Sequence, residues 1–492
     1  MAEDHSNATG LKRHIGLWTL AATGICSMIG ASIHVVPFMI QKNVPGIGPY
    51  VLPAFLLAAL PAMLAAIAYA ALAAAMPRAG GSYLFASRGL SPFAGFIASF
   101  SQWFGLSIAI GVISYIIVNF MSDLAGAIGL HELSGSLING PIKPLTALVI
   151  LWTFIILNIR GSRSYGNTLL PLMWMMFILG GIVIVAGSFF DAGDLQTGLM
   201  EKEGRTFSTE ATAAFSLPVF LSAAAVLFAS FIGFDSIAQA GGEAVDAKRN
   251  IPKAMAMAVT GVTLFYLLFT ASVYHMVPWQ FIAAEAQVRD ISAPAMLGYV
   301  LPSGWTIAIL AGATISLIND LPGMILSVSR LLFAWSADGI FPRSLARVHR
   351  TYGTPDAAII ASGIMASIGI LGSHFAGSFF LGIDIMVTAM LVNFMLMCIT
   401  LLTLPHVNPE IGRMVHLISP RIARLTGTIG TIILSGFLII HIHKDLSHPA
   451  DAWYFQSTWI WLLVMAVGSV IYLLTTRNNP NVIEQFKNLP EN

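Results

Sequence analysis

Long apolar runs alternate with short polar segments along this chain of 492 residues. Each run reaches roughly 20 residues, which is enough for a helix to cross a hydrocarbon layer. Backbone groups inside lipid must bond within their own segment, so the runs predict α-helices. The pattern predicts twelve membrane-spanning helices, at 15–42, 48–76, 91–121, 143–159, 166–189, 214–244, 253–278, 304–336, 356–374, 380–405, 425–443 and 455–476.

Composition agrees with an all-α integral membrane protein. Hydrophobic residues make up 57% of the chain and charged residues only 10%, whereas a soluble domain carries about 25% charged residues. The net charge of +1 gives no field that would attract nucleic acid. The predicted partners are therefore the lipid bilayer and a small-molecule substrate, and no nucleic acid.

Basic residues in the loops predict the orientation, because Lys and Arg accumulate on the cytoplasmic side. With the N-terminus inside, eighteen of the 24 basic residues lie on the inner side and the other six on the outer side. We therefore expect a multi-pass protein of the plasma (inner) membrane with both termini in the cytoplasm. The predicted non-spanning regions are an N-terminal tail at 1–14, an extracellular loop at 190–213 and a C-terminal tail at 477–492.

Two of the predicted helices contain residues that interrupt a helix. Residues 27–37 read "SMIGASIHVVP", where small residues and Pro37 predict a break near 29–33. Residues 228–243 read "FASFIGFDSIAQAGGE", where Gly233 precedes an acidic residue in mid-span. Irregular backbone at this depth is tolerated only where it lines a cavity or is buried in protein. A tight helix-packing contact is the alternative interpretation of such small residues.

The interrupted helices are the first and the sixth, which is the pattern of a transporter built from two inverted halves. The first half would comprise helices 1–5 (15–189) and the second helices 6–10 (214–405), with helices 11 and 12 (406–476) outside the repeat. A broken helix exposes N–H groups at one new end and C=O groups at the other. Backbone at Gly30–Ser32 would hold a carboxylate, and carbonyls near Phe231 and Ile232 would hold an ammonium group.

Four segments resemble the amino acid–polyamine–organocation transporters. They are "SMIGASIHVVP" in helix 1, "MPRAGGSYLFASRGLSPFAGF" after helix 2, "FASFIGFDSIAQAGGEAVDAKRNIPKAM" in and after helix 6, and "SRLLFAWSADGIFPRSLARVH" after helix 8. The resemblance implies a leucine-transporter-type five-plus-five inverted repeat and alternating access. It also assigns Gly30, Ala31 and Ser32 to the carboxylate-binding turn, and 231–233 to the unwound centre of helix 6.

This sequence departs from the family motif at several positions. Ser32 replaces the second glycine of the motif, and His34 replaces its phenylalanine. Helix 5 has no lysine, the residue that proton-coupled bacterial members share. Proton symport, sodium symport, exchange and uniport therefore all stay open.

The remaining candidate residues are polar or aromatic groups near the two breaks. The alternative for His34 is a neutral ring that is hydrogen-bonded to a carbonyl, and the alternative for Asp320 is a structural bond. Trp103 is alternatively an aromatic packing residue. Glu243 is alternatively part of an interfacial charge cluster, and its candidate gate partners are Arg78 and Arg88. The candidates for substrate binding are Ile29, Gly30, Ala31, Ser32, Gln102, Phe228, Phe231, Ile232, Gly233 and Asn319; those for ion coupling are His34, Asp235, Ser316 and Asp320; and those for gating are Arg78, Trp103, Phe231 and Glu243.

The sequence predicts a carrier rather than an enzyme or a channel. It contains no His-Glu-x-x-His, Gly-x-Ser-x-Gly or phosphate-binding motif, and its intramembrane charges are too scattered for the rings of a channel. We expect a secondary active transporter for a small, neutral amino acid; an amine or polyamine transporter or exchanger that uses intramembrane carboxylates is the alternative. No cofactor and no metal are predicted, and a proton or a sodium ion is the candidate co-transported ion.

Overall fold

The computed structural model describes residues 13–209, 212–376, 380–447 and 453–478, without the side chains of 31, 32, 162–165, 167, 168, 376 and 478. Within these residues the chain is helical, apart from loops and one isolated bridge between Ile15 and Ala244. The helices are α1 Leu17–Met28, α2 Ala31–His34, α3 Val36–Asn43, α4 Val51–Ala75, α5 Gly81–Gly89, α6 Pro92–Ala127, α7 His131–Leu137, α8 Ile142–Arg160, α9 Ser162–Ala186, α10 Ala192–Glu203, α11 Leu217–Leu227, α12 Ser236–Gln239, α13 Ala247–Met276, α14 Trp279–Val288, α15 Ala293–Leu297, α16 Ser303–Ala337, α17 Asp356–Ala376, α18 Phe380–Val407, α19 Pro409–Gly412, α20 Pro420–Ser447 and α21 Ser457–Asn478. Short 3-10 helices lie at Gly48–Tyr50, Phe228–Phe231, Ala240–Gly242, Arg343–Ala346 and Trp453–Phe455.

Eleven helical segments of the described chain are long and apolar enough to cross a membrane. They correspond to the second to twelfth predicted spans. The region predicted as the first span consists instead of three shorter helices, α1, α2 and α3. The described residues thus form an all-helical protein with many membrane-spanning segments.

The centre of the bundle is formed by α6, α16 and α18, which pack against one another. The most apolar windows of α6 and α16 are each 83% buried in protein, whereas that of α21 is only 22% buried. Small residues allow the close approach of the central helices. For example, a Cβ atom at Gly105 in α6 would meet Ala389 in α18.

Short backbone pairing ties the start of the first span to the end of the sixth. The N–H groups of His14 and Ile15 donate to the carbonyl of Glu243, at 2.9 and 3.0 Å. The N–H group of Val245 in turn donates to the carbonyl of Ile15 at 2.9 Å. These bonds place both segments at the same end of the molecule, together with the chain that enters α1.

At the end of the molecule opposite to the N-terminal segment, the structure contains a helix where the sequence predicted only a loop. The segment 190–213 contains α10, and Asp191 caps this helix by accepting the N–H group of Gly193 at 2.7 Å. Arg205, which follows α10, forms an ion pair with Glu285 of α14 at 2.6 Å. This segment therefore packs onto the connection between α13 and α16 through charged contacts.

Candidate substrate site at two broken helices

The first predicted break is present and lies where the small residues stand. Helix α1 ends at Met28, Ile29 has an extended backbone (φ −92°, ψ 90°), and α2 begins at Ala31. A second interruption follows at Val35, and Pro37 lies in the first turn of α3. The prediction of a break near 29–33 is confirmed. The side chains of Ala31 and Ser32 lie outside the described residues, so their role in carboxylate binding stays a prediction.

The second predicted break is present in the sixth span. Helix α11 ends at Leu227, a 3-10 helix covers Phe228–Phe231, and Ile232 is extended (φ −76°, ψ 133°). Gly233 has a φ of +133°, a conformation that strongly favours glycine. A single turn of helix, α12, then follows. The sequence prediction of an unwound centre around Gly233 is therefore confirmed.

The two breaks contact each other. A Cβ atom at Gly233 would collide with the backbone carbonyl of Ser27, one residue before the end of α1. The hydroxyl of Tyr266, in α13, donates to the carbonyl of Met28, one of the carbonyls that the end of α1 leaves without a partner in its own helix. The Tyr266 ring also lies 5.7 Å from the Phe231 ring of the second break. Tyr266 thus joins both breaks, although the sequence analysis did not select it.

The two candidate phenylalanines face different surroundings. Phe231 belongs to an aromatic group at the break, since its ring centroid lies 5.4 Å from that of Phe55. Phe228 instead contacts Phe394 of α18 at 5.9 Å and Phe437 of α20 at 6.3 Å. Phe228 is thus surrounded by aromatic rings of other helices, as in a packed core, whereas Phe231 lies at the second break itself.

Asp235 lies just beyond the second break and accepts a hydrogen bond on each of its carboxylate oxygens. One carboxylate oxygen accepts from the side-chain amide of Gln102, and the other accepts the N–H group of Gly233 at 3.2 Å. The Gln102 oxygen accepts in turn from the hydroxyl of Ser82 and, at 3.2 Å, from the amide of Gln239. The structure thus brings the predicted residues Gln102 and Asp235 together, within one buried network.

Asp320 lies in α16 beside the first break and differs from Asp235. A Cβ atom at Gly30 would collide with the Asp320 carboxylate, so the carboxylate lies directly against the interrupted backbone. In the described structure its Oδ1 atom has no hydrogen-bond partner, although the residue is only 3% exposed. The neighbouring Asn319 donates its amide to the sulfur of Cys26 in α1 at 2.9 Å. Asn319 and Asp320 thus both lie at the first break.

The other two coupling candidates have different surroundings. His34 is buried, with its ring edge-on to Phe269 at 5.4 Å and to Phe120 at 6.4 Å. Among the described residues its Nδ1 atom has no hydrogen-bond partner. The Ser316 hydroxyl donates to the carbonyl of Ala313 at 2.9 Å, within its own helix.

Glu243, one of the gate candidates, lies at the end of the molecule that holds the N-terminal segment. Glu243 forms an ion pair with Arg330 at 2.7 Å, and both side chains are almost completely buried. Arg88, one of the two candidate partners of Glu243, forms an ion pair with Asp338 at 3.3 Å. Arg330 was missed because it lies 87 residues from Glu243, a separation that leaves no local signal.

The remaining gate candidates have backbone or aromatic contacts. Arg78 donates to the carbonyl of its neighbour Pro77 at 3.3 Å. Trp103 donates to Ser362 at 3.3 Å, and its ring packs on those of Phe100 and Trp335 at 5.6 and 5.9 Å. Aromatic packing, the alternative given for Trp103, matches these contacts.

A bundle of apolar helices in which two interrupted helices meet defines a membrane transporter. A family model described as amino acid permease matches residues 15–473. The chain belongs to this family, within the amino acid–polyamine–organocation superfamily, and it is a multi-pass membrane transporter of amino acids rather than an enzyme.

Comparison with individual proteins agrees with this assignment. The chain is 25% identical to the branched-chain amino acid permease BcaP of Bacillus subtilis, over 96% of this chain and 95% of that protein. It is also 25% identical to the methylthioribose transporter of Bacillus subtilis, with the same coverage of both chains. Human cationic amino acid transporter 4 is 25% identical over 74% of this chain and 56% of that protein.

Proposed function

We propose that the protein is a secondary active transporter that moves a small, neutral amino acid across the plasma membrane by alternating access. The observation that carries this proposal is the contact between the two breaks, through Gly233 against Ser27 and through Tyr266. A zwitterion suits a site that offers N–H groups from one helix end and carbonyls from another. A relative named as a branched-chain amino acid permease supports a neutral substrate.

The two halves of the chain would move against each other around this site. We assign residues 15–189 and 214–405 to two inverted repeats, since α1–α3 and the segment from α11 to α12 occupy matching places at their starts. The N-terminal end is assigned to the cytoplasm from the excess of basic residues there. In this orientation, the buried pair of Glu243 and Arg330 closes the cytoplasmic side and separates when the site opens inward.

We further propose that transport is coupled to an ion, with exchange and uniport as the alternatives. A proton or a sodium ion would be co-transported, and His34, Asp235, Ser316 and Asp320 are its candidate ligands. Asp235 and Ser316 already have hydrogen-bond partners within the protein. His34 and Asp320 each keep a polar atom without a partner in the described structure, so we favour these two as the ion ligands.

An amine or polyamine is the second candidate substrate. The observation that favours it is the Asp320 carboxylate at Gly30, because two carboxylates placed about 4 Å apart repel by about 4 kcal/mol at an effective dielectric constant near 20. A substrate carboxylate at the Gly30 turn, as the sequence predicts, would meet this repulsion. An amine without a carboxylate would not.

The test is counterflow in proteoliposomes that contain the purified protein. We expect internal unlabelled leucine to drive saturable uptake of external labelled leucine, and lysine and putrescine to compete less well. Liposomes without protein are the control for leakage. Uptake of putrescine without any competition by leucine or lysine would reject the amino acid and select the second candidate.

A further inference from the structure

An apolar groove lies on the outside of the bundle, between α4 and α13 and beside the segment that leads into α20. It has a volume of about 480 Å³. The small residues Ala66 and Ala256 line it, together with Ile67, Leu417 and Ile418. Ile67 and Leu417 are 38% and 44% exposed. The groove therefore opens to the surroundings of the bundle, whereas the two breaks are buried inside it.

The groove runs along the bundle from one end towards the middle. Along α13 its wall extends from Pro252 to Thr260, a rise of about 12 Å, and half of a hydrocarbon core is about 15 Å thick. The Pro252 end lies near the N-terminal segment, because α13 begins at Ala247 and the N–H group of Val245 donates to the carbonyl of Ile15. The groove thus spans most of the leaflet at that end, which is the cytoplasmic leaflet in the orientation proposed above.

Positive charge borders the end of the groove that lies nearest to water. Lys253 lines the groove itself, and Arg249 lies one turn earlier in α13, on the same side of the helix. On the other side of the groove, Arg413 and Arg421 each lie four residues from Leu417. Within the described residues none of these four cations forms an ion pair. Their charges therefore remain available to an external anion.

The walls of the groove supply no negative charge that would balance these cations. The segments 51–75, 247–276 and 411–444 contain no acidic residue. The nearest acidic residues along the chain are Asp246 and Glu410. Basic pockets between helices at the cytoplasmic side of a membrane suit lipids with an anionic headgroup. The charge of the groove thus favours a phosphate without an accompanying cation over a zwitterionic headgroup.

A second groove shows that apolar walls alone do not make this arrangement. It lies between α9 and α16, has a volume of about 430 Å³ and is lined by residues such as Ile178, Gly181 and Trp305. No charged residue lines it. It lies near Phe189 and Phe190, just before α10, and hence at the opposite end of the molecule. This groove offers space for an acyl chain and nothing for a phosphate, so it serves as an internal control.

We infer that the groove between α4 and α13 binds one anionic phospholipid. An acyl chain lies along Ala66 and Ala256, and the headgroup phosphate pairs with Lys253. The long apolar stem of a lysine lies against the chain while its ammonium group reaches the headgroup level, so one side chain contacts both parts of the lipid. The inference goes beyond the proposed function and holds whichever solute the protein carries.

The first test compares two lipids with identical acyl chains, phosphatidylglycerol and phosphatidylcholine. Native mass spectrometry of the purified full-length protein in a neutral detergent measures the affinity of each lipid, and thermal unfolding measures the stabilisation. We expect phosphatidylglycerol to bind more tightly and to raise the melting temperature, and glycerol 3-phosphate, the headgroup without chains, to have no effect. Equal affinities of the two lipids, or equal stabilisation by glycerol 3-phosphate, would overturn the inference.

The charge is tested with Lys253→Gln, which keeps the apolar stem. We expect the preference for phosphatidylglycerol over phosphatidylcholine to fall about fivefold, the factor that one basic residue contributes at a membrane surface. The matched control is Arg350→Gln, which removes an exposed cation from the loop between α16 and α17. An unchanged preference in Lys253→Gln, or an equal fall in Arg350→Gln, would contradict a headgroup site at Lys253.

The space is tested with Ala256→Phe, which fills the groove from an exposed position of α13. We expect this variant to lose affinity for both lipids, because the acyl chain has no room. Gly181→Phe fills the second groove, where a Cβ atom would meet nothing within 4 Å, and should leave the affinities unchanged. Unchanged binding in Ala256→Phe would overturn the inference. So would a dimer that Ala256→Phe abolishes and phosphatidylglycerol does not displace, because the groove would then hold a second copy of the chain.

Discussion

The two carboxylates nearest the breaks, Asp235 and Asp320, are both buried but have opposite surroundings. Asp235 receives hydrogen bonds on both oxygens, from Gln102 and from the backbone of Gly233. Asp320 keeps one oxygen without a partner in the described structure. An ionisable group inside a membrane is costly unless it finds a partner. Asp235 thus forms part of the hydrogen-bonded structure around the unwound backbone, whereas Asp320 takes part in no such network on its Oδ1 side within the described residues.

The largest expected effect concerns the buried ion pair of Glu243 and Arg330. Like Asp235, the Glu243 carboxylate has its partner within the protein. Arg330→Leu leaves Glu243 charged and buried without its partner, which should lower the free energy of unfolding by about 3–5 kcal/mol. Denaturant titration of the purified protein in detergent measures this change. Arg343→Leu, at an exposed position of the same polypeptide region, is the control and should change little. Equal effects of the two variants would show that the pair does not stabilise the fold.

The next effect tests the Asp235 network. Gln102→Leu removes the amide that donates to Asp235 and accepts from Ser82. Buried groups left without partners cost about 1–3 kcal/mol each, so we expect a clear drop in the melting temperature without ligand. A melting temperature equal to that of the unchanged protein would contradict the structural role given to Asp235.

Asp320→Asn should behave in the opposite way in the absence of ligand. The substitution removes a buried charge for which the described residues supply no cation, so the melting temperature should stay equal or increase. The measurement is the same thermal unfolding experiment, run beside Gln102→Leu. A drop as large as that of Gln102→Leu would mean that Asp320, like Asp235, serves the fold itself.

The smallest expected effect concerns Glu203, at the end of the molecule opposite to the N-terminal segment, where the charged groups are exposed. Hydrogen bonds from the Tyr299 hydroxyl and from Arg205 lower the pKa of Glu203 below its usual value. A lowered pKa in the folded state stabilises the protein at neutral pH, and this contribution disappears as the pH falls through the lowered value. Since such exposed pairs contribute about 0.5 kcal/mol, Glu203→Gln should cause a small loss of stability at pH 7 and none in strong acid. An equal loss at both pH values would contradict this explanation.

Eleven of the twelve predicted spans and both breaks could be predicted from the sequence, because their signals are local: apolar runs, and glycines such as Gly30 and Gly233 within them. The helix α10 was missed, since its short, mostly polar pattern resembles a loop. Tyr266 and Arg330 were missed for a different reason. Their partners lie 238 and 87 residues away, and a tyrosine or an arginine alone does not indicate which distant group it meets. The same holds for the difference between Asp235 and Asp320, which depends on side chains from other helices.

The central claim is that the two broken helices form one substrate site. Leucine counterflow by Gly233→Ala measures this most directly, because the substitution places a Cβ atom against Ser27 and forces a residue with a side chain into φ +133°. Gly261→Ala in α13, where a Cβ atom would meet nothing, is the matched control. We predict that the control exchanges leucine at the rate of the unchanged protein and that Gly233→Ala, folded and inserted, loses exchange. Full exchange by Gly233→Ala would contradict the claim.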